Sequence, residues 1–121
     1  MDARTRRAVA YIAGRLTSQR AASAIYDYET ARYTNFSGSI SPSNISVYDF
    51  DCGCHISGTR KNGHLSLYHY GSAGHIDLEV RPGGSFLGYD YASGSHFNGT
   101  VKGKRVSLYD YSSGTYFNYS L

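Results

Sequence analysis

The sequence of 121 residues predicts a mainly β fold: one N-terminal α-helix, then an up-and-down antiparallel meander of about ten strands, forming a rolled sheet or a closed β-barrel. Three observations carry this. Tyr and Gly are abundant (13 and 14) and Trp is absent, which favours strands joined by tight turns. Five aromatic triplets recur at a nearly constant interval. Strong turn signals separate the units that contain them.

The triplets are Tyr26-Asp27-Tyr28, Tyr48-Asp49-Phe50, Tyr68-His69-Tyr70, Tyr89-Asp90-Tyr91 and Tyr109-Asp110-Tyr111, spaced 22, 20, 21 and 20 residues apart. Each unit reads as a β-hairpin. An apolar–polar alternation such as Val106-Ser107-Leu108-Tyr109 enters the triplet, and a second one, Thr115-Tyr116-Phe117-Asn118-Tyr119, leaves it. Ser41-Pro42-Ser43-Asn44, Lys61-Asn62-Gly63, Arg81-Pro82-Gly83-Gly84 and Lys102-Gly103-Lys104 link the units. A parallel β-solenoid with coils of similar length is the main rival, and the hairpin chemistry of Asn62-Gly63 and Pro82-Gly83 weighs against it.

The helix comes first. Ala8, Ile12 and Leu16 recur four residues apart, with Val9 and Ala13 beside them, which predicts a helix from about Ala3 to Ala22. Its apolar face is small and Ala-rich, suited to docking on the rest of the fold, over an open end or side of the sheet. The chain is thus expected to be one domain, with a basic helix over 1–22 and a five-hairpin sheet over 23–121.

In each unit an Asp-x-x-Ser-Gly pattern or a variant follows the first Tyr, as in Asp90-Tyr91-Ala92-Ser93-Gly94. The Asp accepts backbone N–H groups of the loop and the Gly supplies a left-handed residue at its end. Turn capping is therefore the expected role of the Asp column, ahead of catalysis or a metal row. Similar turns occur in propeller blades and YD-type repeat shells, which use more strands or longer arrays. The Gly-Arg-Leu that follows the YD pair in such shells is missing here.

Loop length decides which residues share a face. A four-residue loop pairs Leu108 with Phe117, Val106 with Tyr119, Val47 with Ile56 and Leu67 with Ile76, making one face apolar throughout. The opposite face becomes a ladder in which the first Tyr of each triplet lies across from Tyr33, His55, His75, His96 or Tyr116. Ser46 with Ser57, Ser66 with Asp77, Leu87 with Asn98, and Ser107 with Asn118 make the next rung.

The candidate binding residues are Tyr48, His55, Tyr68, His75, Tyr89, His96, Asn98, Tyr109 and Tyr116. Tyr joins a flat apolar body to a polar tip and loses little side-chain entropy on contact, which suits recognition. The expected function is a non-catalytic binding or self-assembly module, with a second copy of the chain, a carbohydrate, a peptide or a small molecule as partner. Two alternatives stand beside it. One is a small-ligand barrel with an apolar interior lined by Leu67, Ile76, Leu108 and Phe117. The other is an enzyme whose His and Asp residues are brought together by sheet curling. No Ser-His-Asp or paired-carboxylate constellation is readable, and no cofactor is implied.

Cys52-Gly53-Cys54-His55 is the one metal candidate, with three soft ligands in four residues but no second ligand pair. A bridge between cysteines two apart closes a small ring, so the pair is expected to stay reduced in a cytoplasmic setting. Net charge is +3, with Arg4, Arg6, Arg7, Arg15 and Arg20 near the start; a solvated helix face explains this better than nucleic acid. No apolar run approaches the length of a membrane-spanning helix.

Overall fold

The computed structural model describes residues 1–121. Helix α1 spans Ala3–Ser18 and ten strands follow: β1 Ala24–Asp27, β2 Arg32–Ile40, β3 Asn44–Asp49, β4 Cys54–Lys61, β5 His64–His69, β6 Gly74–Arg81, β7 Ser85–Asp90, β8 Ser95–Lys102, β9 Arg105–Asp110 and β10 Thr115–Ser120. The strands pair antiparallel in sequence order, and β1 closes on β10, so the meander is a complete barrel. The closing seam is short: Tyr26 faces Ser120 and Asp27 faces Tyr119, and the Tyr28 amide donates to the Asn118 carbonyl at 3.1 Å.

Turn chemistry sets the hairpins. All five triplet loops are four residues long and end in a left-handed residue: Ala31, Gly53, Ala73, Gly94 and Gly114, with φ of 53–67°. The register follows as the alternation predicts. Leu108 lies across from Phe117, Val106 from Tyr119, Val47 from Ile56 and Leu67 from Ile76. At the opposite barrel end Asn62 and Gly63 both have positive φ, the conformation of a tight two-residue hairpin turn.

The helix differs from expectation in place and length. It covers neither an end nor a side; it runs through the lumen. Residues 8–14 are buried on every side of the helix, and α1 touches β1 and β2 as well as β6, β8 and β9, walls that face one another. A helix apolar all round needs a surround, and a ten-stranded barrel is wide enough to supply one where eight strands fill with side chains alone. The lumen is consequently a packed core of helix and strand residues. Small side chains at Ala8, Ala10, Ala13 and Gly14 keep the helix slim. Tyr11 is the large exception; it stacks on Phe36 with ring centroids 4.3 Å apart and donates its hydroxyl to the Ala22 carbonyl.

The helix stops at Ser18, short of the expected Ala22. Gln19 is left-handed at φ 56°, its amide bonds back to the Arg15 carbonyl, and the Ser18 hydroxyl bonds the Gly14 carbonyl. The chain must turn there, because β1 runs back along the barrel wall antiparallel to the helix it has just left.

Inward glycines let the sheet curl. Gly38 on β2, Gly58 on β4 and Gly99 on β8 occupy one interior rung, opposite Val47, Leu67 and Leu108, and on β6 the rung carries Leu78 opposite Gly88. A Cβ at Gly38, Gly58, Gly88 or Gly99 would overlap the backbone carbonyl of Ser46, Ser66, Asp77 or Ser107 respectively. Glycine kinks of this sort allow a sheet to bend sharply enough to close.

Candidate functional site

The barrel wall divides the chemistry between its two faces. Inward at the end that holds the triplet loops stand Asp49, His69, Asp90 and Asp110, all buried, with Asp27 half-buried. Each caps its loop as expected: Asp49 Oδ1 accepts the Asp51 and Cys52 amides, Asp110 Oδ1 the Ser112 amide, and Asp27 Oδ1 the Glu29 amide. His69 performs the same task with Nδ1, which accepts the Ser72 amide at 3.2 Å.

The column also has a tertiary role that the turn pattern does not reveal. It rings the N-terminal end of the helix, where the peptide dipoles favour negative charge. Arg7 Nε donates to Asp49 Oδ2 at 2.8 Å, and Asp110 pairs with the Met1 ammonium at 3.2 Å and with Arg6 at 3.7 Å. Burial would raise the Asp110 pKa, but hydrogen bonds from the Ser112 hydroxyl and amide and the Met1 ammonium hold it below the usual carboxylate range. Asp2 caps the helix through the Thr5 amide and accepts the Ser72 hydroxyl, both at 2.8 Å. Burial works against its ionisation; the Thr5 and Ser72 bonds and Arg4 outweigh this and bring its pKa to about 2.

Outside the same barrel end lies the aromatic ladder. Tyr48 meets His55 at a centroid distance of 4.8 Å, Tyr68 meets His75 at 4.9 Å, and Tyr89 meets His96 at 4.7 Å. Tyr109 meets Tyr116 at 4.7 Å and Tyr26 meets Tyr33 at 4.8 Å. Every pair is edge-on, the geometry ring quadrupoles favour. The expected ladder lacks a third ring of each group: Tyr28, Phe50, Tyr70, Tyr91 and Tyr111, 4.8–5.1 Å from the first Tyr and more than half exposed. The signal for it is in the sequence: the ring two residues after the first Tyr continues the strand's side-chain alternation although it is the first residue of the loop.

The result is five aromatic triads, one per hairpin, around one end of a closed barrel. Polar groups join neighbours. Asn98, across from Tyr109, donates Nδ2 to the Tyr111 hydroxyl at 2.9 Å, and the Tyr91 hydroxyl donates to Asp77 at 3.1 Å. The second of these bonds ties the Tyr91 proton to a carboxylate and raises its pKa.

Closure sends the histidines apart. His55, His75 and His96 stand on separate hairpins on the convex outer wall, each spent on its own Tyr. Sheet curling converges the Asp column instead, and that column is occupied by the helix. The interior residues Leu67, Ile76, Leu108 and Phe117 belong to the packed core rather than to a cavity lining.

The cysteine stretch also departs from expectation. Cys52 and Cys54 are joined as a disulfide, their Cα atoms 5.4 Å apart on either side of the left-handed Gly53, within ordinary bridging distance. His55, expected as the third soft ligand, faces outward against Tyr48. The histidine beside the sulfurs is His69 from the next hairpin.

The outer face carries Ser46, Ser57, Ser66, Asp77, Asn98, Ser107 and Asn118 below the triads, and no helix is long and apolar enough to cross a membrane. Comparison of the chain with protein families, with curated proteins and with solved structures finds no match.

Proposed function

We propose that the protein is a binding or self-assembly module whose contact surface is the outward ring of five aromatic triads. The observation that carries this is the repetition itself: three rings, Tyr with Tyr or His and a further Tyr or Phe, in the same edge-on geometry on every hairpin, each group leaving its third ring more than half exposed. Core packing does not require exposed rings, and Thr or Val would serve strand propensity in their place. Flat apolar faces edged by hydroxyl, imidazole and amide groups suit a partner that is itself both flat and polar, such as a carbohydrate or a peptide, or the same ring on a second copy.

Closure shapes this reading. On a flat sheet equivalent subsites would form a row for a linear polymer. Around a barrel they diverge by roughly 72° per hairpin, so a straight ligand reaches one or two triads and several ligand arms are needed to reach all five. The filled interior further supports an outward role over capture of a small ligand in the lumen.

The test is a Tyr70→Ser, Tyr91→Ser, Tyr111→Ser variant, compared with the parent by sedimentation and against panels of glycans and peptides. Binding or self-association should fall while the fold is kept, because these rings add nothing to the core. Unchanged association and unchanged ligand binding would remove the ring's claim.

A further inference from the structure

The five hairpins follow one pattern, and four departures from it gather at one place. Where the other four units carry Asp, the third has His69. Where the loop carries Glu29, Asp51, Ala92 or Ser112, the third has Gly71. Cys52 stands in a column of Thr30, Ser72, Ser93 and Ser113, and Cys54 in one of Arg32, Gly74, Ser95 and Thr115. In the barrel these four residues of two adjacent hairpins meet. The Sγ atoms of Cys52 and Cys54 and a ring nitrogen of His69 all lie within 4.8 Å of one another. Gly71 is what makes room: a Cβ there would stand 2.7 Å from Cys54 Sγ and 3.1 Å from His69 Cε1.

The histidine is fixed in one tautomer. Nδ1 accepts the Ser72 amide, so in the neutral ring the proton sits on Nε2. His69 is fully buried, and Nε2 has no hydrogen-bond partner of good geometry, sulfur included, although the Arg4 backbone lies against the ring. An unmatched donor of this kind is costly unless something arrives to accept from it. Asp2, Arg4 and Asp49 are the charged groups that face the ring; burial dominates and lowers its pKa, which keeps it neutral. On the solvent side the pair opens into a groove lined by Arg4, Cys52, Gly53, Cys54 and Tyr70.

We propose that Cys52 and Cys54 form a thiol–disulfide exchange site, with His69 Nε2–H as the hydrogen-bond donor to the Cys54 thiolate released on reduction. The partner is a small thiol or a protein dithiol. Its thiolate attacks Sγ of Cys52, which is half-buried where Cys54 is buried, forming a mixed disulfide while the Cys52–Cys54 bond breaks and Cys54 leaves as thiolate. A second thiolate attacks the partner's sulfur in the mixed disulfide, releasing the partner as its disulfide and Cys52 as thiolate. The protons shed by the two attacking thiols return through solvent to Cys52 and Cys54. Two electrons pass from partner to protein, and the reverse sequence oxidises a dithiol. Exchange is faster when the leaving thiolate is stabilised, and that is the role the Nε2–H donor fills. With Nδ1 accepting the Ser72 amide, the neutral ring carries its proton on Nε2 and has no free lone pair for a metal, which favours exchange over ligation.

The full chain, equilibrated in reduced and oxidised glutathione at graded ratios, quenched in acid and alkylated, gives the answer by intact mass. The doubly alkylated fraction should follow the ratio reversibly through one two-electron transition. His69→Phe, which keeps a buried ring without the donor, should slow reduction about tenfold. In a Cys52→Ser background the alkylation-rate midpoint of Cys54 should lie at lower pH with His69 in place than with His69→Phe added. A pair that stays oxidised at every ratio, that fails to re-form, or that binds zinc in place of exchanging would overturn the proposal. Equal rates and equal midpoints with and without His69 would overturn the donor's role. Should His69→Phe not fold, reversibility of the unaltered protein still decides the exchange.

Discussion

Arg7, on the helix inside the barrel, donates Nε–H to Asp49 Oδ2 at 2.8 Å, and this carboxylate is withdrawn from water. One oxygen of Asp49 caps its hairpin loop while the other holds the helix, so a local turn residue fastens the lumen to the wall. Arg7→Met leaves a buried charge without its ion-pair partner and should cost ~3 kcal/mol. Arg7→Met with Asp49→Asn should recover much of that loss. Urea denaturation of the two singles and the double measures the coupling, and strict additivity would show that the pair contributes nothing.

The inward glycines should resist replacement more than their exposure suggests. Gly58→Ala and Gly88→Ala drive a methyl into the carbonyls of Ser66 and Asp77, which are held by the sheet itself. A loss of roughly 1–3 kcal/mol or more is expected. Gly63→Ala meets nothing within 4 Å but keeps a φ of 82°, so its cost is only the strain of a left-handed Ala. Thermal unfolding of the set separates crowding from backbone strain.

Two loops end in Ala where three end in Gly, all at the same left-handed φ. Ala31→Gly and Ala73→Gly should each stabilise the barrel by ~1 kcal/mol, and Gly114→Ala should destabilise it by a similar amount. Shifts in melting midpoint of opposite sign are the expected reading.

Acid should loosen the helix N-terminus first. The Asp2 pKa is held at about 2 in the folded chain, below its unfolded value, so its contribution is fully present above pH ~4 and is lost as pH falls towards 2. Asp110 acts in the same direction. Asp2→Asn should therefore lower stability at neutral pH and flatten its acid limb, a difference visible by denaturant titration at pH 7 and pH 3.

His69 moves stability with pH through the same sign. Its folded pKa is lowered by burial, so protonation favours the unfolded chain and stability falls as pH drops below ~6.5. His69→Phe should remove that slope between pH 7 and 5, and an unchanged slope would place the titrating group elsewhere.

Much of the ladder is readable from single units. Tyr89 opposite His96, and Leu108 opposite Phe117, follow from a four-residue loop and a period of two, both encoded within about twenty residues. The third ring of each triad is equally legible from the i, i+2 rule, and treating the second Tyr only as a loop residue hides it. The helix carries its own signal in Ala8–Gly14, which is apolar on all sides. Taking that segment as one face of an amphipathic helix places it over the barrel instead of inside it.

The hairpins are therefore a property of the chain's local pattern: their number, loops, register and the two faces of the sheet. Those properties rest on turn conformation and side-chain alternation, which act between near neighbours in the chain. Tertiary structure alone settled that the sheet closes, that the helix fills it, that the Asp column grips the helix, and that His69 rather than His55 meets Cys54. Closure sums small bends over ten strands, and the width it leaves admits one slim helix. Contacts that depend on that width join residues far apart in the chain, and no local pattern records them.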